Sequence, residues 1–496
     1  MSPRSPGAGA SPAPAPLDTR SAAMATTKVP RTTPRPTDEH AVPAPELAPA
    51  PAPADAPLRI TVLGTGYLGA THAVAMAELG FDVTGVDTDQ SKVDALAAGK
   101  VPFFEPGLDV LLEKNLATGR LRFTTDVASA VSQGDVHFVC VGTPQQRTSH
   151  AADLRFVEAA TSAIARHLTK DAVIVGKSTV PVGTAARLRE LVAREAPAGV
   201  EAELVWNPEF LREGKAVADT LHPDRIVLGG TSPKAEAVLR TVYAGPIAEG
   251  TPVVVCDLPT AELVKVSANA FLATKISFIN AIAGVCEAAG ADVTVLADAL
   301  GHDVRIGRQF LDAGLGFGGG CLPKDIRALM HRANELGAYR ASALLQQVDE
   351  INMGQRERVI DLALAACDGS VLNKRVGVLG AAFKPLTDDV RDSPALNVAA
   401  ALHLRGAQVT VYDPEAGDTA RRLFPTLSYA TSAEEAVEGA DVVLVLTEWD
   451  EFLTADAARL APLTHRAKVI DARGKLSADA WREAGWQFTG LGRVAA

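Results

Sequence analysis

The 496-residue chain lacks several features that would assign it to a simple functional class. It has no charge-free apolar run of about 18 residues, which a membrane-spanning helix needs, and no apolar core of a secretory signal near residue 1. It has no dense cluster of basic residues, and 48 Lys and Arg against 59 Asp and Glu give a net charge of −11. Nucleic acids and anionic membranes require clustered cations, so we expect neither as a partner.

Cysteine is also scarce. The five cysteines are scattered, odd in number and free of CxxC spacing. This pattern predicts neither a disulfide framework nor a zinc site, and we expect no bound metal. It is typical of a reducing compartment, so we expect a cytoplasmic protein in which one cysteine can still serve in chemistry.

Composition divides the chain into four predicted parts. Residues 1–57 hold 14 of the 31 prolines and almost no large apolar side chains, which predicts a disordered arm. Residues 58–259 and 366–496 alternate short β-branched runs with Ala- and Leu-rich helical patterns, as parallel doubly wound sheets do. Residues 260–365 are predicted to be helical. The expected fold class is α/β, with two Rossmann-like domains joined by a long central helix and a helical middle domain.

The predicted strands and the central helix can be placed along the chain. Residues 260–289 contain no proline, which predicts one long helix that connects domains or pairs two subunits, and a homodimer is one hypothesis. The strand predictions are 59–63, 81–87, 136–141, 172–175, 203–206 and 225–228 in the first domain, and 375–379, 408–412, 442–446 and 468–470 in the second.

A glycine-rich turn follows the first predicted strand. Gly64, Gly66 and Gly69 form a GxGxxG pattern that opens a helix, where a pyrophosphate can approach the backbone and the helix N-terminus. Asp87 closes the next strand 18 residues after Gly69, where its carboxylate can accept hydrogen bonds from a ribose and would repel a 2′-phosphate. The pattern favours NAD over NADP, with Lys92 near the adenosine. A purely structural glycine turn is the alternative.

Further polar residues follow later strands. Thr143 and Thr179 lie in the segments 140–144 and 176–181, at strand ends where ligands bind or where plain turns occur. Glu209 and Glu213 are four residues apart. On a short helix they would share a face and form an acid/base site with an orienting carboxylate, or they would simply mark a solvated helix start.

Two polar residues interrupt the apolar pattern of the central helix. Lys265 and Asn269 are spaced i and i+4 and therefore share one face. A half-buried Lys with a pKa near neutrality can take a proton or hold an oxyanion, and the Asn amide can donate to the same oxygen. The alternative is an ordinary Lys whose stem is buried and whose ammonium reaches water.

A glycine-dense loop precedes a cysteine. Five glycines within residues 314–320 indicate backbone that approaches a ligand, with amides free to bind phosphate. Cys321 follows them, and the amide dipoles and nearby Lys324 are expected to lower the pKa of its thiol and make it nucleophilic. Asp325 is placed to act as a base or to orient water. A small buried cysteine is the alternative.

The second domain carries cations but no GxGxxG pattern. Lys384 and Arg391 follow its first strand and Arg473 follows its last predicted strand, at the same edge of the sheet. They offer positive charge for a phosphate or diphosphate, or they form surface salt bridges.

These motifs, in this order, resemble one family. GTGYLG, VDTD, VGTP, KSTVPVGT, NPEFLREG, AELVKVSANAFLATKISFIN, GFGGGCLPKD and AAFKPLTDDVRDSP run from about residue 58 towards the C-terminus and are similar to those of the UDP-glucose/GDP-mannose dehydrogenases. The resemblance implies oxidation of the C6 alcohol of a sugar nucleotide to a carboxylate with two NAD⁺. UDP-glucose is the expected substrate and GDP-mannose the alternative. A non-catalytic nucleotide-binding protein is a third hypothesis, which the intact Cys321 and Lys265 disfavour.

The same resemblance implies roles for single residues. Cys321 would form a thiohemiacetal and then a thioester, Lys265 and Asn269 would stabilise the oxyanions, and Asp325 would activate the hydrolytic water. Glu209 would act in acid/base catalysis through a water ordered by Thr179. One departure is Gly320, where many members have Ser, which is expected to cost a hydrogen bond at most.

The binding residues implied in this way form two groups. NAD would contact Gly64, Gly66, Tyr67, Leu68, Gly69, Asp87, Lys92, Thr143, Thr179, Glu213, Lys324 and Arg391. The sugar nucleotide would contact Glu209, Phe210, Leu211, Lys265, Asn269, Phe317, Gly318, Cys321, Phe383, Lys384 and Arg473, with Arg305 supplied by a neighbouring subunit.

Overall fold

The computed structural model describes residues 58–146 and 148–492. The predicted disordered arm, residues 1–57, lies outside the described residues. All described residues belong to one compact unit. Two β-sheets and a set of long helices build this unit.

The first sheet has eight strands in the order β3-β2-β1-β4-β5-β6-β7-β8. All neighbours are parallel except β6 and β7, which are antiparallel. Side chains alternate between two cores: Val173 and Val175 of β5 face one, and Ile174 faces the other. The strands are β1 (Arg59–Leu63), β2 (Asp82–Val86), β3 (Leu121–Thr124), β4 (Val136–Val139), β5 (Ala172–Gly176), β6 (Ala202–Trp206), β7 (Ile226–Gly229) and β8 (Val253–Cys256).

Helices connect these strands and cover the sheet. They are α1 (Tyr67–Glu78), α2 (Gln90–Ala97), α3 (Leu108–Ala117), α4 (Val127–Gln133), α5 (Arg155–His167), α6 (Thr184–Glu195), α7 (Ala216–Leu221), α8 (Pro233–Val242) and α9 (Ala244–Ala248). The strand order 3-2-1-4-5-6 is that of a Rossmann fold, which binds ligands where the carboxyl ends of its strands meet.

Four helices form the middle of the chain: α10 (Leu258–Ala289), α11 (Val293–Gly301), α12 (Leu322–Glu335) and α13 (Tyr339–Ala366). The Asp257 carboxylate caps α10 by accepting a hydrogen bond from Thr260 N at 2.7 Å, and the helix ends at Gly290 with φ +77°. By length and composition α10 alone, among the described helices, is able to cross a membrane. Its buried Glu262, Lys265 and Asn269 contact other parts of the protein, as expected of a core helix.

The second sheet has six parallel strands in the order β11-β10-β9-β12-β13-β14, which repeats the 3-2-1-4-5-6 arrangement. Its strands are β9 (Arg375–Leu379), β10 (Gln408–Tyr412), β11 (Ser428–Tyr429), β12 (Val442–Val445), β13 (Lys468–Asp471) and β14 (Gln487–Gly490). Its helices are α14 (Pro394–Leu404), α15 (Gly417–Leu423), α16 (Ala433–Val437), α17 (Asp450–Leu453), α18 (Ala457–Leu460) and α19 (Ala478–Glu483). The predicted α/β fold with two Rossmann-like sheets and a long central helix is confirmed.

Candidate active site

The turn between β1 and α1 is built for close backbone approach. Gly64 has φ +88°, and a Cβ placed on Gly69 would lie 1.7 Å from the Gly64 carbonyl oxygen, so only glycine fits there. Gly66 precedes the first turn of α1, and the space that its Cβ would occupy is open. The N-terminus of α1 therefore offers its amides to an anion such as a pyrophosphate.

Asp87 lies directly after β2 beside this turn. Its Oδ2 accepts hydrogen bonds from Thr65 N at 2.8 Å and Thr65 Oγ1 at 3.0 Å, and its Oδ1 lies 3.9 Å from Lys92 Nζ. Across the strand ends, Thr143 Oγ1 donates to the Thr179 carbonyl oxygen at 2.7 Å. The open turn and the carboxylate fit a dinucleotide with a free ribose 2′-hydroxyl, as in NAD.

Glu209 and Glu213 do not lie on a helix, contrary to expectation. Glu209 Oε2 accepts a hydrogen bond from Leu211 N at 2.5 Å, and Gly214 has φ +79°, so the segment turns between β6 and α7. Neither carboxylate is solvated, because both are largely buried. They point to different partners: Glu209 Oε1 binds Lys265 Nζ at 2.9 Å, and Glu213 Oε1 binds Arg391 Nη2 at 3.1 Å.

Lys265 lies in the first turns of α10, and the residue is buried, with 5% of its surface exposed. Burial would lower the pKa of Lys265, but the negative charge of Glu209, with the further effect of Cys321 and Asp325, outweighs it, and the pKa is raised above its ordinary value. The expectation of a near-neutral lysine is therefore wrong. Lys265 stays an ammonium ion beside the Glu209 carboxylate and can hold an oxyanion.

Asn269 lies one helical turn after Lys265 and binds a second carboxylate. Its Nδ2 donates to Asp325 Oδ2 at 2.7 Å, and Lys324 Nζ donates to Asp325 Oδ1 at 2.5 Å. Asp325 lies in the first turn of α12 and is buried. The i and i+4 spacing thus brings one lysine–glutamate pair and one asparagine–aspartate pair to the same face of α10.

The glycine-rich loop is held by the protein on several sides. Asn352 on α13 accepts a hydrogen bond from Phe317 N at 2.8 Å and donates to Phe317 O at 3.0 Å, as a paired strand would. Asn280 accepts from Gly314 N at 2.8 Å, and Arg473 Nη1 donates to Gly316 O at 3.0 Å. Amides of residues 314, 315, 317 and 319 all donate to protein acceptors. The expectation of a loop whose amides are free for phosphate is therefore wrong for these four.

Cys321 ends this loop and caps α12. Its side chain is accessible, unlike Cys140, Cys286 and Cys367. The surrounding protein and the Glu209, Asp325 and Glu213 carboxylates raise the pKa of the Cys321 thiol to about 12, against the opposing effect of Lys265. The predicted depression of the thiol pKa is wrong for the free protein, because burial and the neighbouring carboxylates outweigh the positive charge of Lys265.

Gly320 makes room for Arg391. A Cβ on Gly320 would lie 2.3 Å from Arg391 Cζ, so a serine there would require the guanidinium, the far end of a flexible side chain, to move aside. Arg391 joins Glu213, whose pKa is raised to about 7 by burial and by Asp389. Thr387 Oγ1 also donates to Glu213 Oε2, at 3.2 Å.

The other predicted binding residues are spread around this centre. Lys384 Nζ donates to the Glu213 carbonyl oxygen, and Arg473 Nη2 donates to Phe383 O at 3.0 Å. Phe317 is buried in the core between α10, α12 and α13. Arg305 binds Asp303, its side chain is 85% exposed, and it makes no hydrogen bond or ion pair with the site residues in the described part of its own chain.

The contacts of three residues, Glu105, Glu262 and Asn352, were not predicted. Glu105, in the loop before α3, accepts hydrogen bonds from Gly214 N at 2.6 Å, Ala216 N at 2.7 Å and the Tyr67 hydroxyl. Glu262 accepts from Gly183 N at 2.7 Å and Ala185 N at 2.6 Å, at the start of α6. The third is the pairing of Asn352 with the glycine-rich loop. No local sequence signal marks these residues, because their partners lie far along the chain.

Replacing Asn352 by Ala is expected to lower the free energy of unfolding by about 2–4 kcal/mol, because the N–H and C=O of Phe317 lose their buried partner. Urea unfolding measures this loss. Gln346→Ala, on the exposed face of the same helix, is the control and should change stability by less than about 0.5 kcal/mol. An Asn352→Ala variant as stable as the parent would contradict this assignment.

Three models of the UDP-glucose/GDP-mannose dehydrogenase family match the chain: the NAD binding domain over residues 58–246, the central domain over 259–354 and the UDP binding domain over 377–478. A UDP-glucose 6-dehydrogenase of Bacillus subtilis (strain 168) is 42% identical over 438 residues, which cover 88% of this chain and 94% of that protein. One of Rhizobium meliloti (strain 1021) is also 42% identical, over 88% of this chain and 100% of that protein. The solved structure of a UDP-glucose dehydrogenase from the hyperthermophilic archaeon Pyrobaculum islandicum has a TM-score of 0.81 and 38% identity, and covers 90% of this chain and 100% of that one.

Proposed function

Because the chain belongs to the UDP-glucose/GDP-mannose dehydrogenase family and is an NAD-dependent oxidoreductase, we propose that it oxidises the C6 alcohol of UDP-glucose to the carboxylate of UDP-glucuronate. One observation supports this most: the accessible thiol of Cys321 lies within the electrostatic reach of Lys265, Glu209 and Asp325. A nucleophilic thiol allows a dehydrogenase to proceed beyond the aldehyde. NAD, when bound, supplies the acceptor for the two hydrides, one molecule for each.

In the first oxidation, Glu209 accepts the proton of the C6 hydroxyl, directly or through a water ordered by Thr179. Lys265 and Asn269 stabilise the developing alkoxide, because an ammonium and an amide N–H fixed in a buried site are oriented before the reaction begins. Loss of the C6 hydride then gives an aldehyde. The salt bridge between Glu209 and Lys265 at 2.9 Å supports this pairing of a base with an oxyanion donor.

In the second stage, Cys321 Sγ attacks the aldehyde carbon and forms a C–S bond. The raised pKa keeps the free thiol protonated near neutral pH, so its proton must leave during the attack. Glu209, having given the first proton to solvent, accepts the thiol proton and passes it to the aldehyde oxygen, which becomes the thiohemiacetal hydroxyl. That hydroxyl returns its proton to Glu209 as the second hydride leaves, and the thioester forms. Water activated by Asp325 then breaks the C–S bond, which releases the carboxylate and regenerates the thiol.

The binding surfaces follow from the same geometry. We assign NAD to the strand ends of the first sheet, with Lys324 of α12 and Arg391 of the second domain reaching it; the other contacts are Gly64, Gly66, Tyr67, Leu68, Gly69, Asp87, Lys92, Thr143, Thr179 and Glu213. The nucleotide of the substrate lies against the glycine-rich loop and the second sheet, where Lys384 and Arg473 supply positive charge. The domains divide at residues 58–259, 260–365 and 366–496 in this proposal.

The substrate preference is tested by comparing kcat/KM for UDP-glucose, GDP-mannose and UDP-N-acetylmannosamine with NAD⁺ in excess. We expect UDP-glucose to be preferred. A preference for GDP-mannose would keep the mechanism and overturn the substrate. If no NADH forms with any of the three sugar nucleotides, the result would instead support a nucleotide-binding protein without this activity.

Replacing Asp87 by Ala is expected to raise the KM for NAD⁺ about tenfold and to improve the relative use of NADP⁺. The carboxylate accepts from the ribose and repels a 2′-phosphate, and one lost charge-assisted hydrogen bond costs about 1.5–3 kcal/mol. Initial rates with both cofactors measure this. Asp89→Ala, two residues further on and exposed, is the matched control. An unchanged cofactor preference in Asp87→Ala would contradict the assignment.

We also propose a cytoplasmic homodimer that pairs through α10. Leu263, Phe271, Phe278 and Val285 recur every seven or eight residues and therefore lie on one face of the helix, and all four are exposed. A second copy of the chain, presenting the same face, would cover this stripe. Light scattering on the intact chain is expected to give twice the mass of 51.7 kDa, and a fully active monomer would overturn the proposal.

A further inference from the structure

A buried polar cluster lies at the end of β5 and β6, and the proposed chemistry does not use it. Lys177 Nζ donates to Asn207 Oδ1 at 3.0 Å and to Tyr243 Oη at 3.3 Å, and Tyr243 Oη donates to the same Asn207 oxygen at 2.6 Å. Asn207 Nδ2 donates to Val227 O of β7 at 2.8 Å, where the sheet changes from parallel to antiparallel pairing. The cluster thus joins three neighbouring segments of the first sheet.

Lys177 differs from the other buried cations. Across residues 58–146 and 148–492, the buried Lys and Arg side chains are Lys177, Lys265 and Arg356. Lys265 binds Glu209 at 2.9 Å and Arg356 binds Asp392 at 2.9 Å. Lys177 is 6% exposed and has only neutral partners, with no carboxylate within 4.0 Å among these residues. A buried charge without a counter-ion is costly, so this position favours an anion from solution.

A cavity of about 50 Å³ adjoins the ammonium. His72 lines it as well, fully buried, and neither of its ring nitrogens has a hydrogen-bond partner in the described part of the chain. Burial and the charge of Lys177 hold the pKa of His72 well below its usual range, so the ring is neutral and offers one N–H donor. The cavity has room for a few water-sized species, each of which needs about 10–15 Å³.

The net charge of the side chains that line the cavity favours an anion. Glu209 and Asp219 line it, but each is neutralised by a cation outside the wall, Lys265 at 2.9 Å and Arg212 at 2.5 Å. Arg225 also lines the cavity. Its guanidinium lies 3.7 Å from the centre of the Phe210 ring and has no carboxylate within 4.0 Å among the described residues.

The remaining wall carboxylate is that of Asp224, which is exposed. Two unpaired cations therefore face one solvated carboxylate. From this arrangement we propose that the cavity behind Glu209 binds a small inorganic monovalent anion of the chloride type, held by the Lys177 ammonium, the His72 ring and the Arg225 guanidinium. The cavity shares Glu209, Phe210 and Leu211 with the surface assigned to the sugar nucleotide, whereas Lys177, His72 and Arg225 are assigned to neither NAD nor the sugar nucleotide.

Crystals of the intact chain grown in sodium bromide test the proposal directly. We expect an anomalous bromide peak within hydrogen-bonding distance of Lys177 Nζ. Density for water alone at this position, with bromide found only elsewhere, would overturn the proposal. Neither result depends on NAD or a sugar nucleotide, so failure of the proposed enzymatic function would leave this test unaffected.

Thermal unfolding gives a second test in solution. When sodium chloride replaces sodium gluconate at constant ionic strength, we expect Tm to rise by about 1–2 °C for each tenfold increase in chloride above its dissociation constant. Lys177→Met should lose this response, and Arg225→Gln should weaken it even if Lys177→Met fails to fold. Lys234→Met is the matched control, because Lys234 is exposed and binds Asp171 and Glu201. A chloride response that is absent in the parent, or unchanged in both cavity variants, would overturn the proposal.

Discussion

Replacing Cys321 by Ser is expected to reduce the yield from two NADH per UDP-glucose to one and to slow uronate formation by about 10³-fold or more. The serine hydroxyl is far less nucleophilic than a thiol, and an ester hydrolyses less readily than a thioester, so oxidation should stop at the aldehyde. Trapping the aldehyde with hydroxylamine while counting NADH measures both quantities. The first hydride transfer should be much less affected, because Lys265, Asn269 and Glu209 remain.

Cys256→Ser is the matched control for this substitution. Cys256 is also partly accessible, but it lies at the end of β8 on the edge of the first sheet. It should retain a yield of two NADH. If Cys321→Ser still produced two NADH per sugar at the parental rate, the thiol would not be the nucleophile and the covalent route would be wrong.

Replacing Lys265 by Met should have the second-largest effect, a fall in kcat of about 10²–10³-fold with a smaller change in KM. The ammonium stabilises charge that develops during reaction, and loss of one such fixed donor costs about 3–4 kcal/mol of transition-state stabilisation. The substitution also leaves the Glu209 carboxylate buried without its partner, so stability should fall by about 3–5 kcal/mol. Kinetics and urea unfolding measure the two effects separately.

The double variant Lys265→Met with Glu209→Gln separates catalysis from folding. Removing both charges should restore most of the lost stability and none of the activity. If the double variant regained activity together with stability, neither Lys265 nor Glu209 would act in the reaction. If the single variant retained the parental kcat, the oxyanion role of the lysine would be excluded.

The sequence patterns were sufficient to predict the positions of the central strands of both sheets. All ten predicted strands occur, with bounds that differ by no more than two residues, because buried parallel strands form short apolar runs. The four strands not predicted, β3, β8, β11 and β14, are the outer strands of the two sheets. Outer strands such as β11, with only Ser428 and Tyr429, have neighbours on one side and need no continuous apolar run.

The candidate site was predictable where spacing along one helix determines it. Lys265 and Asn269 share a face of α10 as their spacing requires, and Cys321 does end the glycine-rich loop. The protonation states were not predictable, because the pKa values of Lys265 and Cys321 depend on Glu209 and Asp325, which reach them only through the fold. The helical pairing of Glu209 with Glu213 failed for the same reason.

Tertiary contacts also decide how the glycine-rich loop is used. A run of glycines indicates close approach of the backbone to something, but not whether the neighbour is a ligand or the protein. Here Asn280, Asn352 and Arg473 bind the loop backbone, and Arg391 occupies the space beside Gly320. The loop therefore holds Cys321 in place as much as it offers amides to a ligand.

The most direct test of the proposed four-electron oxidation is the NADH yield of the unmodified protein at completion. Purified enzyme with limiting UDP-glucose and excess NAD⁺ should form two NADH for each UDP-glucose consumed, with UDP-glucuronate as product and no aldehyde released to a trapping reagent. One NADH for each sugar, with free aldehyde, would contradict the covalent role of Cys321 and the mechanism built on it.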